Sequence, residues 1–382
     1  MSITESAGGV SPPIAGAPTS IALFAGWAPS GPTDRAVHLQ SVLDYQDNFG
    51  SIDPTSLLGH AVYHFYDGGN AGSDAYALRI AGASSEQIGP SDGVFLSSLH
   101  AAFAAGGPVD QIKQLNLICV PGLTEPGMIA MLQAYARRRG AFLIVDCDEG
   151  ATVTTIAASL QGKTGADAQN SALYFPWVVA SDLSPDGTTR AYPPCGFVAG
   201  LYARIDRERG VWKAPAGDGA VLTGALGLSV SINDAESSAL NPLGINCLRS
   251  SSNTGPIVWG ARTLAAADVS EWKYVPVQRL ALYIEQSVVA GTQWAVFEPN
   301  NATLWAMLRL SVNAFMNGLY RQGAFQGSTP AQTYVVRCDA STTTQADIDR
   351  GVVNIVIGFA PLRPAEFVVI SIAQLAATGV VP

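Results

Sequence analysis

Lys163 and Thr164 follow Gly162 in the stretch "ASLQGKTG" (158–165), and an apolar run ending in acid, "FLIVDCDE" (142–149), lies shortly upstream. A Gly-Lys-Thr beside such a strand suggests an α/β nucleotide or phosphate hydrolase, whose backbone N–H groups would cradle phosphates while Asp146 held Mg²⁺. The order is wrong for that chemistry. A phosphate loop must leave a strand and open a helix, whereas here Ala157 stands where the first glycine belongs and the preceding "VTTIAASLQ" is helix-like. Gly162 then reads as a helix C-cap, and a hydrolase using Lys163 and Asp146 is kept as the competing reading.

Other catalytic sets are weaker still. The four histidines (His38, His60, His64, His100) lie in the first 100 residues. His60 and His64 are spaced to share one helix face, but no carboxylate or cysteine stands beside them at ligand spacing, so two half-buried helix residues are expected. Asp146, Asp148 and Glu149 could cluster at a strand's C-terminal end, where α/β proteins bind ligands; a solvated strand-to-helix turn explains them as well. Five cysteines (Cys119, Cys147, Cys195, Cys247, Cys338) lie far apart without a paired motif and are expected as buried thiols. No catalytic residue, cofactor or metal site is assigned.

The elements that would carry any function come next. The chain has 382 residues, 48% of them apolar and 13% charged, well under the usual ~25% charged share, which points to surface buried against partners. With 21 basic and 30 acidic residues the net charge is −9, the wrong sign for a nucleic-acid binder. The start "MSITESAGGVSPP" has neither the basic segment nor the apolar run of a secretion signal, and no stretch is long enough to span a membrane.

Residues 1–18 read as an arm. "TSIALFAGWAP" (19–29) begins a strand, helices are expected over 41–49 and 56–69, and "AYALRI" (75–80) is a strand. Between about 112 and 180 apolar strands alternate with helices, including one in "ATVTTIAASLQG", the pattern of a mostly parallel sheet. Residues 180–255 are rich in turns. Beyond them "VPVQRLALYIEQSVV" predicts a helix, "WAVFEP" a strand, and "NNATLWAMLRLSVNAFMNGLYRQG" a helix capped by Asn301. Three strands close the chain: 333–339, 352–361 and 366–375.

The segments "LNPLGINCLRSSSNTGPIVWGARTLA" (240–265), "EWKYVPVQRLALYIEQSVVAGTQWAVFEPNNATLWAMLRLSVNAFMNGLYRQGAFQG" (271–327) and "VRCDASTTTQADIDRGVVNIVIGFAPLRPAEFVVISI" (336–372) resemble a tail sheath protein of contractile injection machines. "PTSIALFAGWAPSGPTDRAVHLQS" near the start and "PPCGFVAGLYARIDRERGVWKAPAG" (193–217) agree, so the resemblance spans most of 18–372. That family includes sheaths of contractile phage tails, R-type pyocins and extracellular injection particles. One departure is the start, which lacks the Pro-Gly-Val-Tyr-like strand usual in such sheaths.

The resemblance implies a structural polymer rather than an enzyme: six protofilaments of subunits wrap a rigid inner tube, terminal arms add strands to neighbouring subunits, and contraction drives the tube through a target envelope. The implied fold is α+β with an α/β portion. It divides into an arm (1–18), N-terminal strands and helices packing with the inner domain (19–84), an outer α/β domain (85–255), an inner mixed-sheet domain flanked by helices (256–372) and a tail (373–382). Strand addition falls to Phe367, Val368, Val369, Ile370, Ser371 and Ile372, since "EFVVISIAQL" is apolar at nearly every position and would invite pairing if left uncovered. Arg309, Asn313, Asn317 and Arg321 share one face of the 301–322 helix and are the tube-facing candidates. The implied partners are further copies in hexameric rings, the inner tube protein, baseplate and terminal cap proteins and a paralogous sheath subunit, with no nucleic acid and no membrane insertion. The chain is expected to be made in the bacterial cytoplasm without a signal peptide and to act in an assembled, released particle.

Overall fold

A computed structural model describes residues 12–68, 73–80, 89–265 and 270–366. The strands are β1 (Ala22–Gly26), β2 (Val37–Leu39), β3 (Ala75–Arg79), β4 (Leu117–Cys119), β5 (Phe142–Asp146), β6 (Ser171–Phe175), β7 (Val178–Ser181), β8 (Thr189–Tyr192), β9 (Gly227–Leu228), β10 (Ile245–Ser251), β11 (Gly255–Val258), β12 (Tyr334–Arg337) and β13 (Val356–Phe359). The helices that matter are α1 (Val42–Phe49), α2 (Leu57–Asp67), α3 (Gly93–Ala102), α4 (Pro126–Arg139), α5 (Cys195–Arg209), α6 (Asp234–Leu240), α7 (Val275–Gly291) and α8 (Ala302–Arg321).

Eight strands form one sheet in the order β11-β10-β6-β5-β4-β1-β3-β2. The pairs from β10 to β3 are parallel, and only the two edge strands run antiparallel. Every residue of β1, β5 and β6 is buried, as expected where both faces of a parallel sheet are covered. Alternation sorts the side chains: Phe24 meets Phe65 of α2 and Tyr202 of α5 in one core, while Leu23 and Val145 meet Leu99 of α3 and Leu132 of α4 in the other. Helices α2 and α5 approach closely because residue 196 is glycine; a Cβ there would lie 2.6 Å from the Cα of Ala61.

Several helices have a sequence reason for their ends. Ser56 accepts from the N–H of Gly59 to open α2, Glu125 caps α4 ahead of Pro126, and Gly140 closes α4 in the left-handed region after Arg137, Arg138 and Arg139. Asn301 caps α8 as expected, accepting from Thr303 and Leu304.

Two expected elements do not form. The stretch 151–162 yields only a 3₁₀ turn, Ile156–Leu160. Thr152 and Thr155 hydrogen-bond each other and the local backbone, which competes with a helix. "WAVFEP" is no strand. Its first residues lie in the 3₁₀ turn Gln293–Ala295, and Phe297 adopts φ 73 with its ring fully exposed.

A second body is built from α7, α8 and the β12–β13 hairpin. Leu280, Ile284 and Val288 of α7 pack on Val312, Phe315, Met316 and Leu319 of α8, with Phe325 and Val336. The segment 19–84 gives β1, β2 and β3 to the large sheet, with β1 between β3 and β4, and the Thr19 carbonyl accepts from Arg279 of α7. Residues nearer the start also reach α7 and α8: the N–H of Ala17 donates to Ser287 Oγ at 2.9 Å, Ser311 Oγ donates to the Pro12 carbonyl at 3.3 Å, and Ile14 joins the helical core.

Candidate functional site

The chemical candidates are structural where the chain places them. Asp146, 1% exposed, ends β5 and accepts the N–H groups of Gly122 and Cys195 at 2.9 and 2.8 Å. It thereby ties the turn after β4 to the first turn of α5. Burial pushes its carboxyl up to about 6, against the pull of those two donors. Lys163 is 1% exposed. Burial lowers its pKa, with Asp148 the main charge working the other way, and its carbonyl accepts from Gln133 Nε2 at 2.7 Å. Thr164 is followed by Gly165 and another 3₁₀ turn, Ala166–Asn170, so no α-helix opens there to present N–H groups to phosphate.

His60 and His64 do share a face of α2, but they are fully buried rather than half-buried. His60 Nε2 lies 3.1 Å from Tyr192 Oη, and the His64 ring stacks on Phe197 at 3.8 Å. Burial lowers His60 to about 4 and His64 to about 3. Asp148 and Glu149 are exposed, His38 pairs with Asp74 at 2.8 Å, and His100 is exposed on α3. All five cysteines are buried free thiols. Among the described residues no three His, Cys, Asp or Glu side chains converge as a metal site requires, and no helix is long and apolar enough to cross a membrane.

The surfaces suited to assembly lie in the C-terminal body. Strands β12 and β13 pair antiparallel, Tyr334 opposite Phe359 and Arg337 opposite Val356. Among the described residues neither outer edge is taken by another strand, and Val335 and Val356 are about half exposed. Just beyond β13 the Gln326 N–H donates to the Ala360 carbonyl at 2.9 Å, but a two-stranded sheet without a third strand along its length is still a template for added strands.

From β13 the chain runs through Pro361 to Glu366, where it is held. The Glu366 carboxylate accepts from Arg262 Nε at 2.7 Å and Nη2 at 2.6 Å, from Asn241 Nδ2 at 3.1 Å and from Tyr274 Oη at 3.2 Å. Burial opposes its charge, but the Arg262 hydrogen bonds prevail and keep its pKa below the usual carboxylate value. The sequence hint of this clamp is a lone acid between Pro364 and an apolar run, but its partner lies 104 residues away. The expected strand-addition residues Phe367, Val368, Val369, Ile370, Ser371 and Ile372 lie outside the described residues, as do the tail 373–382 and residues 1–11 of the N-terminal arm.

Of the tube-facing candidates, Arg309 is half-buried and donates to the Cys338 carbonyl at 2.9 Å, tying α8 to the hairpin. Asn313 is half-buried and donates to the Arg309 carbonyl at 2.8 Å. Asn317 is half-buried and Arg321 exposed. The outward side of α8 also carries Ala306, Leu310 and Ala314, with Leu310 66% exposed.

Two adjoining family models match the chain, the phage tail sheath protein central domain over residues 102–264 and the phage tail sheath C-terminal domain over 268–374. A tail sheath protein of Burkholderia phage BcepMu is 29% identical over 309 residues, 77% of this chain, which spans 61% of that protein's length. Among solved structures, the sheath complex of the extracellular contractile injection system PVC in its contracted state is 27% identical, with TM-score 0.77, covering 96% of this chain and 94% of that one. The contracted helical sheath of the anti-feeding prophage is also 27% identical, with TM-score 0.76 and 98% and 99% covered. By these two domain matches and their structural counterparts, the chain belongs to the contractile tail sheath protein family.

Proposed function

We propose that the chain is the structural subunit of a contractile sheath. Its copies polymerise as a helical, six-stranded cylinder around an inner tube, and contraction of that cylinder drives the tube through a target envelope. The observation that carries this reading is the β12–β13 pair. Among the described residues no third strand pairs with it along Tyr334–Arg337 or Val356–Phe359, and it stands one short segment from Glu366, which Arg262 anchors. Main-chain hydrogen bonds formed in trans by residues 367–372 would link copies while the joint at the anchor bends, so the lattice could rearrange without dissociating. The contracted form would be favoured by better packing between copies, with no nucleotide consumed in the stroke.

The inner tube, a baseplate and a terminal cap are the partners this role requires, and a paralogous sheath subunit is an optional further one. The assembled particle, a phage tail or an extracellular injection particle, would be its place of action. Deleting residues 367–382, which spares Glu366, tests the reading by electron microscopy. The truncated chain is expected to fold but to form no cylinders, and cylinders of normal length would overturn strand addition by this arm.

A further inference from the structure

A groove of about 780 Å³ opens beside the anchored terminus. One wall comes from the end of α5 and the loop after it, another from α6, β10 and the residues following β11, and a third from residues 362–366 themselves. Its charges do not balance. Asp234 and Glu366 are the acids of the lining, and each is already taken, Asp234 by Arg249 and Glu366 by Arg262. Arg209, Lys213 and Arg363 also line the groove, and among the described residues none of the three forms an ion pair. Lys213, whose Nζ donates to the Ala214 carbonyl at 3.1 Å, has its pKa lowered by burial and then by Arg209, as expected where two cations face one site without a counter-charge. Trp212 and Trp259 add apolar faces, the latter already stacked by the Arg249 guanidinium at 5.0 Å.

Three cations without a counter-charge among the described residues stand out in one groove of a chain whose net charge is −9. A second copy brings the complement, since each chain carries 30 acidic residues against 21 basic ones. The groove wall is also the root of the arm proposed to tie copies together. Resting on the sheath reading, we infer that this groove is a docking slot for a carboxylate-bearing segment of a neighbouring copy, held by Arg209, Lys213 and Arg363 and shielded by Trp212 and Trp259. Such pairs fix register and partner choice between copies more than they add raw affinity.

The test uses particles assembled from an equal mixture of ¹⁴N- and ¹⁵N-labelled full-length chain, treated with a carbodiimide that joins an amine directly to a carboxylate. Mass spectrometry is expected to find Lys213 joined to an Asp or Glu carrying the other label. Links from Lys213 only within one copy, or to a different polypeptide of the particle, would overturn the inference while leaving the sheath reading intact. The double variant Arg209→Glu/Lys213→Glu supplies a second readout. It should melt like the parent yet assemble about tenfold less, and Arg209→Gln/Lys213→Gln should fall between the two. Full assembly of the charge-reversed chain would overturn the slot, whereas failure of the parent chain to assemble at all would overturn the sheath reading and the slot together.

Discussion

Arg262 holds Glu366 through both Nε and Nη2, at 2.7 and 2.6 Å, across 104 residues of sequence. This bidentate pair joins the large sheet domain to the last described residue, and under the proposed role it sets where the strand-adding segment departs. Replacing Arg262 by Met leaves the carboxylate with only Asn241 and Tyr274. The expected cost is about 2 kcal/mol, read from chemical denaturation. Assembly should drop further than that loss of stability explains, because the arm would no longer leave from a fixed point. Equal assembly yields for parent and Arg262→Met would show that the clamp serves stability alone.

Among the described residues Arg279 and Asp206 form the deepest ion pair, with side chains 4% and 5% exposed and two bonds of 2.9 and 2.6 Å. The guanidinium also donates to the Thr19 carbonyl at 3.0 Å and lies 4.4 Å above the Tyr202 ring. It therefore couples α7, α5 and the N-terminal segment. Arg279→Met should cost roughly 3–5 kcal/mol, because it strands a buried carboxylate. The double change Arg279→Met/Asp206→Leu should recover much of that loss, and additive costs in the double-mutant cycle would contradict the coupling.

His60 and His64 predict acid lability. Their native values, about 4 and about 3, lie below the ordinary ~6.5 of an unfolded histidine, so protons bind the unfolded chain more readily. Stability from this pair is present above pH ~6.5 and is lost as the pH falls toward the native values. Asp146 acts oppositely: its native value of about 6 exceeds the unfolded ~3.9, so its contribution grows as the pH falls through 6 and makes the combined slope shallower. Among the described residues neither ring nitrogen of His64 has a hydrogen-bond partner. His64→Phe should therefore be no less stable at pH 8 and should flatten the acid limb by up to ~1.4 kcal/mol per pH unit. An unchanged acid midpoint would refute the assignment.

The outward side of α8 gives a sharper tube test than all four polar candidates together. Arg309 serves the hairpin through Cys338, so reversing its charge would confuse folding with contact. Arg321 is exposed and Leu310 is 66% exposed. Under the proposed role, Arg321→Glu and Leu310→Asp should leave the melting temperature near that of the parent and reduce co-sedimentation with the tube protein. Undiminished co-sedimentation would return this face to ordinary surface.

Much of the fold was legible because local physics decided it. The apolar runs of β1, β5 and β6 are buried on both sides, and the Asn301 cap and apolar stripe define α8. Strand order was not legible: β1 lies between β3 and β4, a matter of crossovers that no local pattern records. "WAVFEP" has β-forming residues yet turns, since Thr292 bonds back to the Val288 carbonyl and the loop must reach the Asn301 cap. The proposed assembly surface rests mainly on family resemblance. The Arg262–Glu366 clamp joins sites far apart in sequence, and Arg309 looked free on a helical wheel although the Cys338 carbonyl engages it.

Cryo-electron microscopy of the full-length chain, assembled with its tube protein, tests the central claim most directly. The account predicts helical cylinders of hexameric rings in which residues 367–372 of one copy pair with a strand of another. A chain that stays monomeric at all concentrations, or cylinders in which that segment folds back on its own β12–β13 pair, would contradict it.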